Sequence, residues 1–426
     1  MKKFVIKTFN ILAALVIFAS ASFFFCGFSR ALPKGVRVNG TDVGGLSFAR
    51  AKNVLRERVV EDLKSKRLHI CADERIYTFA YPEIDFLDGF TETLKNVRRG
   101  GEYSSPVHYF LNGADEIAQN VCADFDRAAV EPYAVFNCEG EPFTYYGGED
   151  GIKCDKGKLL EDISASLNGN FEKVYVCANA LKRQTTVKDV EERTKKLYSF
   201  TTYFDGDNVD RCANIRLAAQ KINGTVLNAG EAFSFNGVVG ARTEENGFKQ
   251  AKIIQDGKFV LGFGGGVCQV STTLYNAAIL SGLEIEEYHP HSLQVSYVAP
   301  SRDAMVSGSH FDLKFKNNRK TPVYIRVSCT LSSVCCTVYG ESDGWKYSFK
   351  SEVSETVPRP DAVIVKGGED KILSYGRDGT VSEGYIVRTN GGGEECRLVR
   401  KDKYLAVADV IQQTEEENSA EQEETA

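Results

Sequence analysis

The first thirty residues constrain the chain most. Lys2, Lys3 and Lys7 precede Ile11–Phe28, ILAALVIFASASFFFCGF, an uncharged run of apolar and small residues. Eighteen residues just span a hydrocarbon core of ~30 Å as a helix. The lysines hold their end on the cytoplasmic side, so the body is expected outside the membrane. Signal-peptide cleavage is the alternative, with Ser29-Arg30-Ala31 a mediocre site. A lipoprotein reading of Cys26 is weaker, because bulky Phe25 stands where a small residue is expected. The expectation is a single-pass cell-membrane protein with an extracellular body, or a secreted or wall-associated one after cleavage.

Export makes cysteine usage informative. Eleven of the twelve cysteines follow the anchor, an odd number that leaves at least one unpaired in an oxidising compartment. Their irregular spacing and the length of 426 residues argue against a disulfide miniprotein. The absence of a C-x-x-C pair argues against a zinc ribbon. Most are expected to be small buried apolar residues. The net charge of −6 is carried by Thr414–Ala426, TEEENSAEQEETA, with six Glu and no base. That tail reads as disordered, and the neutral remainder has no basic, aromatic-laced stretch to bind nucleic acid.

The length allows several α+β domains. A strand at Val36 and Val38, a turn at Asn39-Gly40 and a helix capped by Ser47 open the body. A strand at Arg75–Ile84 follows, then mostly helical or irregular chain over 85–125. Strand-like pieces at Tyr133–Asn137 and Val174–Ala178 flank a helix at Lys156–Leu167. From Ser199 the texture changes: a helix at Cys212–Ile222 is broken at Asn223-Gly224. Val267, Val270, Leu274, Ala277 and Ala278 then repeat at helical spacing up to Gly282. Strands are expected at Leu283–Tyr288, His291–Val298, Phe311–Phe315, Val323–Val327 and Ser333–Tyr339, an antiparallel meander after the helix. Beyond Trp345 a glycine-punctuated segment to about Gln413 reads as a small β module, with a hairpin at Gly384–Val407.

One stretch concentrates chemistry. In GFGGGVCQVSTTLYNAA, Gly262–Ala278, Cys268 falls at the first or second position of a helix. There the unbonded N–H groups and the positive dipole end favour a thiolate. Gly264, Gly265 and Gly266 would admit a substrate backbone, and their amides would serve as an oxyanion hole. His291 lies downstream on the same predicted strand face as Leu293, Val295 and Tyr297, and Asp303 follows the turn after it. Cys268, His291 and Asp303 therefore form a candidate nucleophile, base and orienting group. Gln269, Ser271 and Thr272 are candidate polar lining, or ordinary helix capping. Asn236 and Arg242, in the loop Phe233–Phe248, suit recognition of amides or carboxylates, or simply form a solvated turn. A zinc alternative would join His289 and His291 with Cys268, His310 or Asp312, without a clearly spaced third ligand. A buried packing role for Cys268 is the blander alternative. No cofactor is called for.

The runs GEAFSFNGVVGARTEENGFKQAKII, GGGVCQVSTTLYNAAILSGLEIEEYHPHS, VSYV, RDAMVSG and FDLKFKNNRKTPVYI resemble, in order, the VanW-like domain over roughly Ser199–Val327. Upstream, VNGTDVGGLSFARAKNVL is similar to the opening of peptidoglycan-binding modules that precede that domain, and the segment after Trp345 looks like a G-five β module. The resemblance implies an exported protein of Gram-positive bacteria, at the cell envelope near peptidoglycan or its stem peptides. That family was first noticed in vancomycin-resistance clusters. It carries over Gly265, Gly266, Cys268, Gln269, Ser271, Thr272, Thr273, His291, Ser292 and Asp303, and leaves out His289. Met305 stands where a smaller polar residue is expected. The expected organisation is an anchor (1–30), a peptidoglycan-binding α+β region of one or two subdomains (31–190), a VanW-like domain (199–340), a β module (345–413) and the tail. The expected activity is a Cys-His-Asp acyl-transfer or amidase-type reaction on peptidoglycan. A non-catalytic wall-binding scaffold is the rival.

Overall fold

The computed structural model describes residues 31–255, 258–308 and 310–414. The Ile11–Phe28 segment and the tail beyond Thr414 lie outside these residues. Among those described, no helix is long and apolar enough to cross a membrane. The chain is mixed α+β, with many small sheets. The described residues divide into two compact units, 31–128 with Gly151–Leu181, and Ala129–Asp150 with 182–414. The VanW-like stretch and the β-rich segment after Trp345 thus share one unit.

In the first unit, Val36–Val38 pairs antiparallel with Thr41–Asp42 across Asn39 and Gly40, both at positive φ as a tight hairpin turn requires. Ser47 caps the helix Phe48–Lys64, its Oγ accepting from the Arg50 N–H. The strand expected over Arg75–Ile84 stops at Phe79. Pro82 cannot donate to a ladder, and a separate strand, Ile84–Asp88, starts beyond it and pairs with Val107–Leu111. The 85–125 region is therefore richer in strand than its composition suggests. A disulfide joins Cys122 to Cys154.

In the second unit, a four-stranded antiparallel sheet runs in the order Lys195–Tyr203, Ser333–Gly340, Val323–Cys329, Thr225–Leu227. Val323–Cys329 and Ser333–Gly340 alternate buried and half-buried residues, the mark of a sheet with one covered face. The cover is a helix at Val267–Leu280, hereafter the cysteine helix, flanked by a second helix at Val209–Ile222. The cysteine helix carries no charged residue, and all its residues except Cys268 are buried. A helix apolar or small all round is stable only inside a core. Val270, Leu274, Ala277 and Ala278 pack into one cluster with Val323, Ile325, Val334 and Val338.

Ala232–Ser234, Lys314–Lys316 and Glu284–Glu287 form a small sheet beside this core. The expected strand at His291–Val298 does not exist: residues 288–306 are irregular. Their backbone groups are satisfied elsewhere. The His291 N–H donates to Asp303, and the Ser292 carbonyl accepts from Leu405. The β module consists of a three-stranded antiparallel sheet, Lys346–Val357, Gly379–Asn390 and Gly393–Tyr404, and a second sheet of three short strands.

Candidate functional site

Gly266 caps the cysteine helix at φ +102°, a left-handed conformation that disfavours any side chain. Val267 is then the first helical residue and Cys268 the second. The Cys268 N–H is one of the first four amides of the helix, which lack an intrahelical partner. The Cys268 thiol, partly exposed, donates to the Val306 carbonyl at 3.3 Å.

His291 and Asp303 meet this thiol from the irregular segment rather than from strands. Asp303 Oδ2 accepts both the His291 backbone N–H and its ring Nδ1, each at 2.7 Å. With Nδ1 so engaged, Nε2 is the ring nitrogen left to face Cys268, whose charge raises the imidazole's pKa. Both His291 and Asp303 are almost wholly buried, at 4% and 1% exposure, so water competes little for these bonds.

Electrostatics couples the three groups. Burial pushes the Cys268 thiol up, but the neighbouring His291 imidazole outweighs it, helped by the Arg242 guanidinium. The thiol ends below its ordinary value. Burial pulls the His291 imidazole down, yet its bonds to Asp303 and Cys268 and their charges lift it to about 9. Burial raises Asp303 too, and His291, Tyr404 and Arg400 together hold it below the usual carboxylate range. Each shift moves its group towards a thiolate–imidazolium pair backed by a carboxylate. Such a pair is competent for nucleophilic attack and for returning a proton to a leaving group.

The irregular segment is pinned to the cysteine helix by the helix's own polar side chains. Ser271 Oγ donates to the Ala304 carbonyl at 2.6 Å, and Thr272 Oγ1 accepts from the Ala304 N–H at 2.9 Å. Asn276 Nδ2 donates to the Arg302 carbonyl at 2.7 Å. Asp303 is thereby clamped on both sides. Gln269 donates to Thr202 Oγ1 and the Tyr203 carbonyl, and its Oε1 accepts from Arg211 at 2.7 Å. Ser271, Thr272 and Gln269 are buried, so their polar groups face protein.

The glycines serve packing as well. A Cβ on Gly264, at φ +81°, would come within 2.8 Å of Arg242 Cγ; one on Gly265 would lie 2.7 Å from the Lys252 carbonyl oxygen. Arg242 donates to Asn236 Oδ1 at 2.6 Å and lies over the Phe235 ring. Asn236 is itself fixed by Asp312 and the Phe311 carbonyl. His289 of the zinc alternative bonds Glu287 at 3.0 Å and packs on Phe311. No group of three metal-ligating side chains gathers among the described residues.

Sequence reasoning missed four contributors. Arg211 and Tyr297, with Tyr203, Asp205 and Asn208, line an open cleft of ≈ 420 Å³ that reaches Gln269, the residue after the cysteine. The Tyr297 phenol is pushed up, first by burial and then by the Cys268 charge, and so stays protonated. Tyr404 and Arg400 reach Asp303 from the β module. Their only sequence signal is the alternation of Arg400, Asp402 and Tyr404, three polar residues on one strand face.

Comparison with known proteins places the same region in context. Residues 210–339 match the family described as VanW like protein. The chain is 43% identical over 146 residues to the uncharacterized protein YoaR of Bacillus subtilis, covering 34% of this chain and 48% of that protein. It is 27% identical over 152 residues to the vancomycin B-type resistance protein VanW of Enterococcus faecalis, covering 34% of this chain and 55% of that one. The chain thus spans about half the length of these curated relatives.

Proposed function

We propose, from the premise that this chain carries a VanW-like domain at residues 210–339, that it is an exported cell-envelope protein acting on peptide or amide bonds of peptidoglycan. Cys268 is the nucleophile, His291 the base and proton carrier, and Asp303 the orienting carboxylate. The observation carrying this reading is the buried His291–Asp303 pair set against a thiol of lowered pKa at a helix start. The vancomycin-resistance relative supports the envelope setting and a link to glycopeptide antibiotic response. An amino-terminal apolar segment after lysines supports export.

In this reading the Cys268 thiolate attacks the carbonyl carbon and a C–S bond forms. The Cys268 N–H, at the positive end of the helix, faces the oxyanion. Collapse breaks the C–N bond as His291 Nε2 passes its proton to the leaving amine. The thioester is then resolved by water or an acceptor amine, which returns a proton to His291. Release to water is hydrolysis; release to an amine is transfer.

The test is alkylation of Cys268 with iodoacetamide across pH 5–9, wild type against His291→Ala. Rapid labelling below pH 7 that slows in the variant is the expected result, because without the imidazole burial dominates the thiol. Muropeptides incubated with the wild type should then yield products that Cys268→Ala does not form. Labelling only near pH 8.5, where an unperturbed thiol ionises, would favour the rival scaffold reading. The inward-turned Gln269, Ser271 and Thr272, which serve packing, are the observation on that side.

A further inference from the structure

The β module reaches into the candidate site. On its strand Gly393–Tyr404, Arg400, Asp402 and Tyr404 alternate with exposed residues and are buried. Strand side chains alternate faces, so these three share the face turned towards Asp303. The Tyr404 hydroxyl accepts the Ser301 N–H at 2.8 Å and donates to Asp303 Oδ1 at 2.6 Å. Because the Ser301 amide takes an acceptor position on that oxygen, the hydroxyl proton is directed at the carboxylate. Arg400 Nη1 donates to the Asp303 carbonyl at 2.7 Å, and its Nη2 stands 3.6 Å from Oδ1. Asp402 holds the Arg400 Nε at 2.6 Å, and the guanidinium lies 4.4 Å from the Tyr288 ring centroid.

The same module secures the rest of the segment that carries His291. Leu405 N–H donates to the Ser292 carbonyl, Arg377 Nη1 to the Gln294 carbonyl at 2.6 Å, and Ser301 Oγ bonds Ser382 Oγ at 2.8 Å. The VanW-like match ends at residue 339, before any of these partners. From these contacts we infer that the β module is a working part of the site, with Tyr404 and Arg400 as positioning residues. Oδ2 serves His291, while Oδ1 and the backbone carbonyl are fixed from the module. The carboxylate therefore cannot rotate away from the imidazole. This deepens the acyl-transfer reading and rests on it for its catalytic meaning.

The experiment uses the full chain with Tyr404→Phe, which keeps the ring and removes the hydroxyl, and Arg400→Lys, which keeps the charge and removes the fork. Lys403→Ala, on the exposed face of the same strand, is the control. Two readouts are taken: the pH profile of Cys268 alkylation and the downfield NMR signal of the His291 Nδ1 proton. The groups facing Cys268 and Asp303 in this profile are His291, Arg242, Tyr297, Arg400 and Tyr404. Loss of a hydrogen bond to a charged group is expected to slow alkylation at pH 6.5 about tenfold in Tyr404→Phe, to broaden the Nδ1 signal by exchange, and to leave Lys403→Ala unchanged. Folded Tyr404→Phe and Arg400→Lys proteins with the wild-type profile and signal would overturn the inference alone. A wild-type thiol that ionises like an ordinary one would overturn the acyl-transfer reading. The Nδ1 signal then still decides whether Tyr404 holds the His291–Asp303 contact.

Discussion

A single oxygen, Asp303 Oδ2, accepts the backbone N–H and the ring Nδ1 of His291, both at 2.7 Å. The residue is gripped at two points, so its ring orientation follows from the placement of one carboxylate. That arrangement fixes the tautomer and aims Nε2 away from Asp303, which is the role an orienting acid plays behind a general base.

Removing Asp303 should therefore cost more than one hydrogen bond. Asp303→Ala leaves the buried Arg400 guanidinium and the His291 ring without their shared counter-charge. Breaking one side of a buried ion pair is expected to destabilise by about 3–5 kcal/mol. The check is the midpoint of urea unfolding, followed by tryptophan fluorescence from Trp345.

His291 should titrate differently once its thiol partner cannot ionise. It is lifted to about 9, and Cys268 contributes both a hydrogen bond and a charge to that rise. In Cys268→Ser the imidazole is expected to titrate well below 9, followed by NMR of its ring protons. An unchanged value would mean that Asp303 alone sets it.

The same shift dictates how stability responds to alkali. The folded pKa of His291 lies above its ordinary 6.5, at about 9. Its contribution is fully present below pH 6.5 and is lost as pH rises through 9. Wild type should thus lose its advantage over His291→Gln between those limits. Glu287 contributes on the acid side. Lys314 holds its carboxyl down to about 2, so its contribution is present above pH 4.5 and lost as pH falls towards 2. Glu287→Gln should flatten that limb of the stability curve.

Gly266→Ala should be poorly tolerated. The backbone sits at φ +102°, and a Cβ would lie 2.9 Å from Arg211 Cγ and 3.0 Å from Ile215 Cγ1. The left-handed backbone alone costs about 1–3 kcal/mol for a side-chain-bearing residue, and the crowding adds to it. Gly113→Ala shares the left-handed helical backbone, at φ +68° and ψ +24°, with nothing within 4 Å of the new Cβ, and should lose less. Comparing the two melting temperatures separates strain from crowding.

The cysteine helix was legible because its signals are local. A glycine run, helical spacing of Val267, Val270 and Leu274, and a stop at Gly282 placed Cys268 at a helix start. The segment around His291 was not. His291, Leu293, Val295 and Tyr297 alternate like a strand, but the segment's backbone is met by Asp303 at His291, Leu405 at Ser292 and Arg377 at Gln294 instead of a ladder. Period-2 alternation reports which side chains are buried, not what satisfies the main chain. Arg400 and Tyr404 were illegible for a related reason. They meet Asp303 across about a hundred residues of chain, 97 for Arg400 and 101 for Tyr404, and no local pattern encodes that contact.

The burial of the cysteine helix has a kinetic consequence. Its residues from Gln269 onward are all inside the core, so its amides can reach solvent only when the unit as a whole unfolds. Deuterium uptake along 270–280 would thus run at the global unfolding rate, while the 288–306 segment would exchange through smaller openings. Any local opening around Cys268 is expected in that segment and the β module bonded to it. Cys268 thus sits on the most deeply buried element of the unit, while His291 and Asp303 sit on its irregular segment.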